Sequence, residues 1–183
     1  MGKIKVLLDT DVVISSLLSV KGASYEIIHK KPNIEKVISK TIEKEASIVS
    51  ERLRLNKKLL AQTFRKTKII SLDIKRKSLI NKYRRYVFDT EDSHVVASAE
   101  KSSAKFLLTY NTKHYDSEKI KNDFKIIVMK PGIFLQYLRS REGTEQLEDY
   151  YLALRAEEYE KEDKSKIGWA KHGTLSSTLR KCT

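Results

Sequence analysis

Ile4-Lys5-Val6-Leu7-Leu8-Asp9-Thr10-Asp11-Val12 is the stretch from which the rest of the chain is read. A short apolar run closed by an acid has the form of a buried parallel strand. In open α/β sheets the carboxyl edge of such a strand is where ligands sit. Asp9 occupies that edge. It is equally placed to cap a helix running from Val12 to Leu18.

Working outward, the same alternation recurs. Val37-Ile38-Ser39, Ile69-Ile70-Ser71-Leu72, Lys105 to Thr109 and Lys125 to Met129 read as further strands or extended links. Between them lie helical patterns at Ser24 to Lys31 (stopped by Pro32), Lys40 to Leu55, Leu59 to Phe64, Ser78 to Val87 and Glu91 to Ser102. Pro131 opens a helix through Arg139, at the first turn, which suits proline. Strands alternating with helices predict an α/β fold with a parallel sheet.

The chain has 183 residues, 40% of them apolar, enough for one globular domain with an appendage. The single cysteine, Cys182, forms no intrachain disulfide, which predicts a reducing cytoplasm. No apolar run has the length of a signal peptide or a membrane span. Net charge is +13, unevenly spread: residues 1–140 carry +14, residues 141–163 carry −6 and residues 164–183 carry +5. The basic body points to nucleic acid, with a charge-rich soluble surface as the plain alternative. Three regions follow: a domain over 1–140, an acidic amphipathic helix over 141–163 with Leu147, Tyr150, Tyr151 and Leu154 on one face, and a basic tail over 164–183.

Within this basic body, acids stand at the edges of the core, where a carboxylate loses hydration and needs compensation. On the helix after Lys40, the stripe Ile42, Ala46, Val49 and Leu53 faces inward, and Glu45 lies about 60° from its centre. Glu43 and Glu51 lie farther round. Asp92 shares a helical face with Val95, Val96 and Ala99, whereas Asp89 precedes that helix and reads as its cap. Asn111 follows the strand ending at Thr109; it is a ligand or a turn residue. The plain readings are a solvated glutamate for Glu45 and a helix-dipole contact for Asp92. Several acids gathered at core edges of a cationic protein point to metal-assisted work on a polyanion.

In order and spacing these stretches resemble the PIN-domain family of metal-dependent ribonucleases, many of them toxins of toxin–antitoxin pairs. The resemblance is carried by Leu8-Asp9-Thr10-Asp11-Val12, by Val37 to Glu45, by Asp89-Thr90-Glu91-Asp92-Ser93-His94-Val95-Val96-Ala97-Ser98-Ala99, by Leu107-Leu108-Thr109-Tyr110-Asn111-Thr112-Lys113-His114-Tyr115, and by Ile126 to Pro131. It implies a three-layer α/β/α sandwich around a central parallel sheet. It implies Asp9, Glu45 and Asp92 as ligands of Mg²⁺ or Mn²⁺, with Asn111 joining them in catalysis. It also implies RNA as substrate and an antitoxin protein as a candidate partner. Many family members carry Asp where this chain has Asn111; a subset with the pattern Thr-x-Asn-x-x-His-aromatic, as in Thr109 to Tyr115 here, carries Asn. Asp116 is near enough to substitute, and His114 is a candidate catalytic group with a structural role as its alternative. Lysines and arginines of the Lys75–Arg85 run, with Arg52, Arg54, Lys57 and Lys58, are candidates to hold the RNA backbone.

Two other readings fit part of the pattern. In a haloacid-dehalogenase-like phosphatase Asp9 is the nucleophile and Asp11 its acid/base partner. In a non-catalytic nucleic-acid-binding protein the acids are caps. The acidic helix is expected to dock on its own body or on a second subunit, so a homo-oligomer is a candidate assembly.

Overall fold

The computed structural model describes residues 3–140. The acidic helix and the basic tail expected from the sequence lie outside the described residues. Five strands form one sheet: β1 (Ile4–Leu8), β2 (Ile34–Ser39), β3 (Lys68–Ile70), β4 (Phe106–Leu108) and β5 (Ile127–Met129). Their spatial order is β3-β2-β1-β4-β5, and every pairing is parallel. The expected α/β class with a central parallel sheet is what the chain adopts.

Eight helices flank the sheet among the described residues. They are α1 (Thr10–Leu18), α2 (Ala23–Tyr25, continued as a π-helical turn over Glu26–Lys30), α3 (Lys40–Arg52), α4 (Lys57–Arg65), α5 (Arg76–Tyr83), α6 (Ser93–Ser102), α7 (Ser117–Phe124) and α8 (Pro131–Arg139). Crossovers between parallel strands are right-handed. The chain moves from β1 to β2 and β3 in one direction, then crosses β1 to reach β4 and β5. Helices α1–α4 therefore fall on one face and α5–α7 on the other. The packing agrees: α1 meets α2, α3 and α4, while α6 meets α5, β1, β2 and β4. Helix α8 returns to the first face, against α2. No helix among the described residues is long and apolar enough to cross a membrane.

The sheet centre is the core. Val6, Leu7, Leu8, Phe106, Leu107 and Leu108 are fully buried, because both faces of β1 and β4 are covered by helices. All strands run the same way, but the order in which the chain adds them reverses between β1 and β4. That is the switch point at which the carboxyl ends of two neighbouring strands open a crevice. Asp9 and Thr109 stand there, with Asp9 N–H donating to the Leu108 carbonyl at 3.0 Å.

Three local expectations change. Leu53 does not continue the buried stripe of α3: the helix ends at Arg52, Leu53 is 48% exposed, and Ser50 takes the inward position. Asp116 does not stand in for Asn111. Its carboxylate accepts from Lys119 N–H and caps α7, a helix that periodicity did not reveal because Ile120 and Phe124 are its only apolar residues besides the cap turn. The segment Ser78 to Val87 is two pieces, α5 and a 3-10 turn over Arg84–Tyr86, whose Tyr83 and Tyr86 pack with Phe124.

Candidate active site

The acids of the switch point are each held by a specific donor. Asp9 caps α1: its Oδ1 accepts from Thr10 N–H at 2.6 Å, so its reading as a helix cap is realised. Its Oδ2 accepts from the Tyr115 hydroxyl at 2.8 Å, in a fully buried contact. That phenol is held well above its usual range by burial, and then by the charges of Asp9 and Asp92, so it stays a donor.

Glu45 sits in the second turn of α3, whose start is fixed by Ser39 Oγ accepting from Ile42 N–H. Thr10 Oγ1 donates to Glu45 Oε2 at 2.7 Å, and His94 Nε2 stands 3.0 Å from Oε1. Burial alone raises this carboxyl; the His94 and Thr10 hydrogen bonds and the His94 charge outweigh it and hold Glu45 below its usual pKa. Both carboxylate oxygens are thereby aimed by residues of α1 and α6.

Asp92 ends a 3-10 turn capped by Asp89, which accepts from Glu91 N–H. It opens α6 without capping it, and its Oδ2 lies 3.1 Å from His114 Nδ1. Burial raises its pKa; the His114 hydrogen bond works against this, and the charges of Asp9 and Asp89 add to it. Asn111 takes the turn role: its N–H donates to Thr109 Oγ1, and its carbonyl accepts from His114 N–H.

Asp9, Glu45, Asp92 and Asn111 line one cavity of about 390 Å³. Sequence reasoning did not assign Asp11, Thr10, His94 or Tyr115 to it under the nuclease reading. Asp11 stood in plain view beside Asp9. Its Oδ2 accepts from Tyr110 N–H at 2.9 Å and Thr109 Oγ1 at 3.2 Å, while Oδ1 is buried without a partner among the described residues. Burial, then the charge of Asp9, raises Asp11 from 3.8 to about 6. His94 and Tyr115 carried no signal, since only the fold brings α6 to α3 and the loop after β4 to β1.

Counting Asp11, Asp89 and Glu91, six acids line this cavity and no lysine or arginine does. The two histidines and the exposed Arg76–Glu91 pair at the edge are the nearby compensation. A hard, oxygen-rich, under-compensated donor set with an orphaned carboxylate oxygen fits a divalent cation in its chemistry. As placed, no three acids or histidines among the described residues form a ligand cluster. Their oxygens are engaged by Thr10, Tyr115, His94 and His114 instead. Coordination therefore requires rotamer shifts that exchange some of these hydrogen bonds for the ion.

A second cavity of about 380 Å³ adjoins the first, sharing Glu45, Glu91 and His94. It adds the cations Lys44 and Arg76 beside apolar side chains that include Ile48 and Ile74.

The sequence matches the family model of the PIN domain over residues 5–113, and the chain belongs to that family. PIN domains are generally nucleases. No curated protein matches the chain. Among solved structures, VapBC2 from Rickettsia felis bound to a DNA fragment from their promoter is similar at 18% identity, over 69% of this chain and 98% of that one, with a TM-score of 0.48. FitAB bound to an IR36 DNA fragment is similar at 17% identity, over 69% and 94% of the respective chains, with a TM-score of 0.44.

Proposed function

We propose that this chain is a metal-dependent endoribonuclease, acting through Asp9, Glu45 and Asp92 with Asn111 beside them. The observation that carries the reading is the acidic cavity itself. Six carboxylates gather without a lysine or arginine in their lining, inside a protein of net charge +13. Like charges at a desolvated edge raise one another's pKa and cost stability, so such a cluster persists where a cation compensates it.

Asp9, Glu45 and Asp92 are the residues that would hold Mg²⁺ or Mn²⁺, an ion that activates water and offsets phosphate charge. The chain's own groups prepare this. Tyr115 orients Asp9, and Thr10 and His94 grip Glu45, in the way outer partners fix ligand carboxylates. His114 stands at the solvent side of Asp92, where an imidazole can receive or release a proton. Asn111 offers a neutral carbonyl, so the site carries one charge fewer than an aspartate there would supply. Lys44, in the adjoining cavity, is the cation we assign to phosphates flanking the acids, since Arg76 there is already paired with Glu91.

A toxin role with an antitoxin protein as partner belongs to the same reading and rests on the family resemblance. The phosphatase reading of Asp9 loses ground, because the PIN match runs through Asp9-Thr10-Asp11. The non-catalytic reading keeps one observation in its favour: each acid already has a donor within the protein.

The test is cleavage of a structured RNA panel by the purified full chain with Mn²⁺, with Mg²⁺ and with EDTA. Cleavage is expected only with metal, and Asp9→Asn is expected to bring it to background while RNA binding persists. Cleavage by Asp9→Asn at the rate of the unaltered chain rules the assignment out.

A further inference from the structure

Phe88 is the outlier of the described surface. It is 78% exposed, whereas the other four phenylalanines are buried or half-buried. Its backbone is nonetheless fixed on both sides. Val87, buried, forms an antiparallel bridge with Tyr115, and Phe88 N–H donates to the His114 carbonyl at 2.8 Å. The next residue, Asp89, caps the following turn. Scattered exposed apolar residues are ordinary. This one is an aromatic ring, and all three of its anchors, Asp89, His114 and Tyr115, line the acidic cavity. The Cα of Asp89 is about 3.8 Å from that of Phe88. Exposed cations border it in the sequence and at its anchor: Arg84 on one side, and Lys113 beside His114 on the other.

We propose that Phe88 is a stacking platform for an unpaired nucleobase of the RNA, belonging to a nucleotide next to the phosphate at the acidic cavity. The assignment rests on the ribonuclease reading above. A flat π-face held out on a rigid backbone, beside a carboxylate cluster in a basic protein, matches the pairing of base stacking with backbone electrostatics used on single strands. Bases within a duplex keep their faces covered, so the platform selects single-stranded segments. A protein partner could also cover a phenylalanine; the continuity of its anchors with the cavity and the net charge of +13 favour the nucleic acid.

Binding is measured by fluorescence anisotropy in EDTA, so that it is read apart from cleavage. The probe is a short fluorescein-labelled oligouridylate, compared with an abasic oligomer of the same length. Phe88→Ala is expected to weaken oligouridylate binding about tenfold, the size of one base–aromatic stack. Phe88→Trp should keep the affinity, Phe88→Leu should resemble the alanine variant, and the abasic oligomer should bind all of them alike. Melting temperatures should be unchanged, because the side chain is mostly exposed. Equal oligouridylate affinity of Phe88→Ala and the unaltered chain overturns the proposal and leaves Phe88 to a protein partner. The same loss on the abasic oligomer, or a lowered melting temperature in both the alanine and leucine variants, overturns it too. Metal-dependent cleavage lost in Asp9→Asn stands whichever way Phe88 behaves, so the two readings fail separately.

Discussion

At the switch point the deciding energies belong to single carboxyl groups. Asp11 is the clearest, because burial and Asp9 lift it from 3.8 to about 6 while its unfolded value stays ordinary. Between those values the folded chain binds more protons at this group than the unfolded chain does, so stability falls as pH rises. The penalty is complete above about pH 6 and is relieved as pH drops toward 4. Its size is up to about 3 kcal/mol. Asn retains the acceptor for Tyr110 N–H and Thr109 Oγ1 without the charge. In metal-free buffer Asp11→Asn should therefore melt higher than the unaltered chain at pH 8, with the advantage shrinking below pH 6. Adding Mn²⁺ at pH 8 should raise the melting temperature of the unaltered chain, since a ligand bound only by the folded state stabilises it. A thermal series over pH with both proteins reads this out. A constant difference at every pH would show that the gain comes from something other than the Asp11 charge.

The elements that carry these groups end in unusual ways. Ser103 after α6 and Lys125 after α7 both take left-handed backbone angles, φ 53° and 58°. Helices commonly close on such a residue, and it is usually glycine, because a Cβ there costs about 1–2 kcal/mol. This chain has only six glycines and spends none at these two positions. Lys125→Gly is accordingly expected to stabilise the fold by about 1 kcal/mol, part of the gain being lost to the greater freedom of glycine in the unfolded chain. Urea unfolding measures it, and a destabilised variant would mean that the Lys125 Nζ contact to the Asn122 carbonyl outweighs backbone strain. The missing glycines also explain why α7 escaped the sequence reading: it has a serviceable cap in Asp116 but no stop signal and a sparse apolar face. Helix α3 was legible through its Ile42/Ala46/Val49 stripe, and its true end was not, because Leu53 is apolar and yet exposed.

At the scale of the whole molecule, a local acid cluster and an acidic stretch over 141–163 stand against an otherwise basic chain. Phosphate contacts release counterions, so affinity falls linearly in log–log form as salt rises, with a slope that counts the contacts. RNA affinity of the full chain should show such a slope. The last twenty residues contribute five basic side chains and no acid. Truncation after Asp163 should thus flatten the slope and weaken binding without altering metal-dependent cleavage of saturating substrate. Filter binding over a salt series decides it, and an unchanged slope would exclude those cations from the RNA contact. Several cations of the Lys75–Arg85 run are already paired, Arg76 with Glu91, Lys82 with Glu100 and Arg85 with Asp123, which makes them weaker candidates for phosphate contact.

What the sequence determined by itself was local in origin. Apolar runs of strand length, alternating with helical stripes, dictated a parallel sheet, because such runs bury both faces only between helices. Asp9 at a strand end, Glu45 beside a stripe and Asp92 on an inward face were likewise readable, since each depends on a period within its own element. The tertiary structure alone decided which donors grip them. Tyr115 reaches Asp9 across a separation of 106 residues, and Thr10 reaches Glu45 across 35. No periodicity encodes such pairs, because they follow from the order of the strands and the crossing of the chain over β1. The same crossing sets Asp11 in a buried, acid-lined crevice and holds Phe88 out at its rim, two features that composition and spacing leave indistinguishable from an ordinary cap and an ordinary core residue.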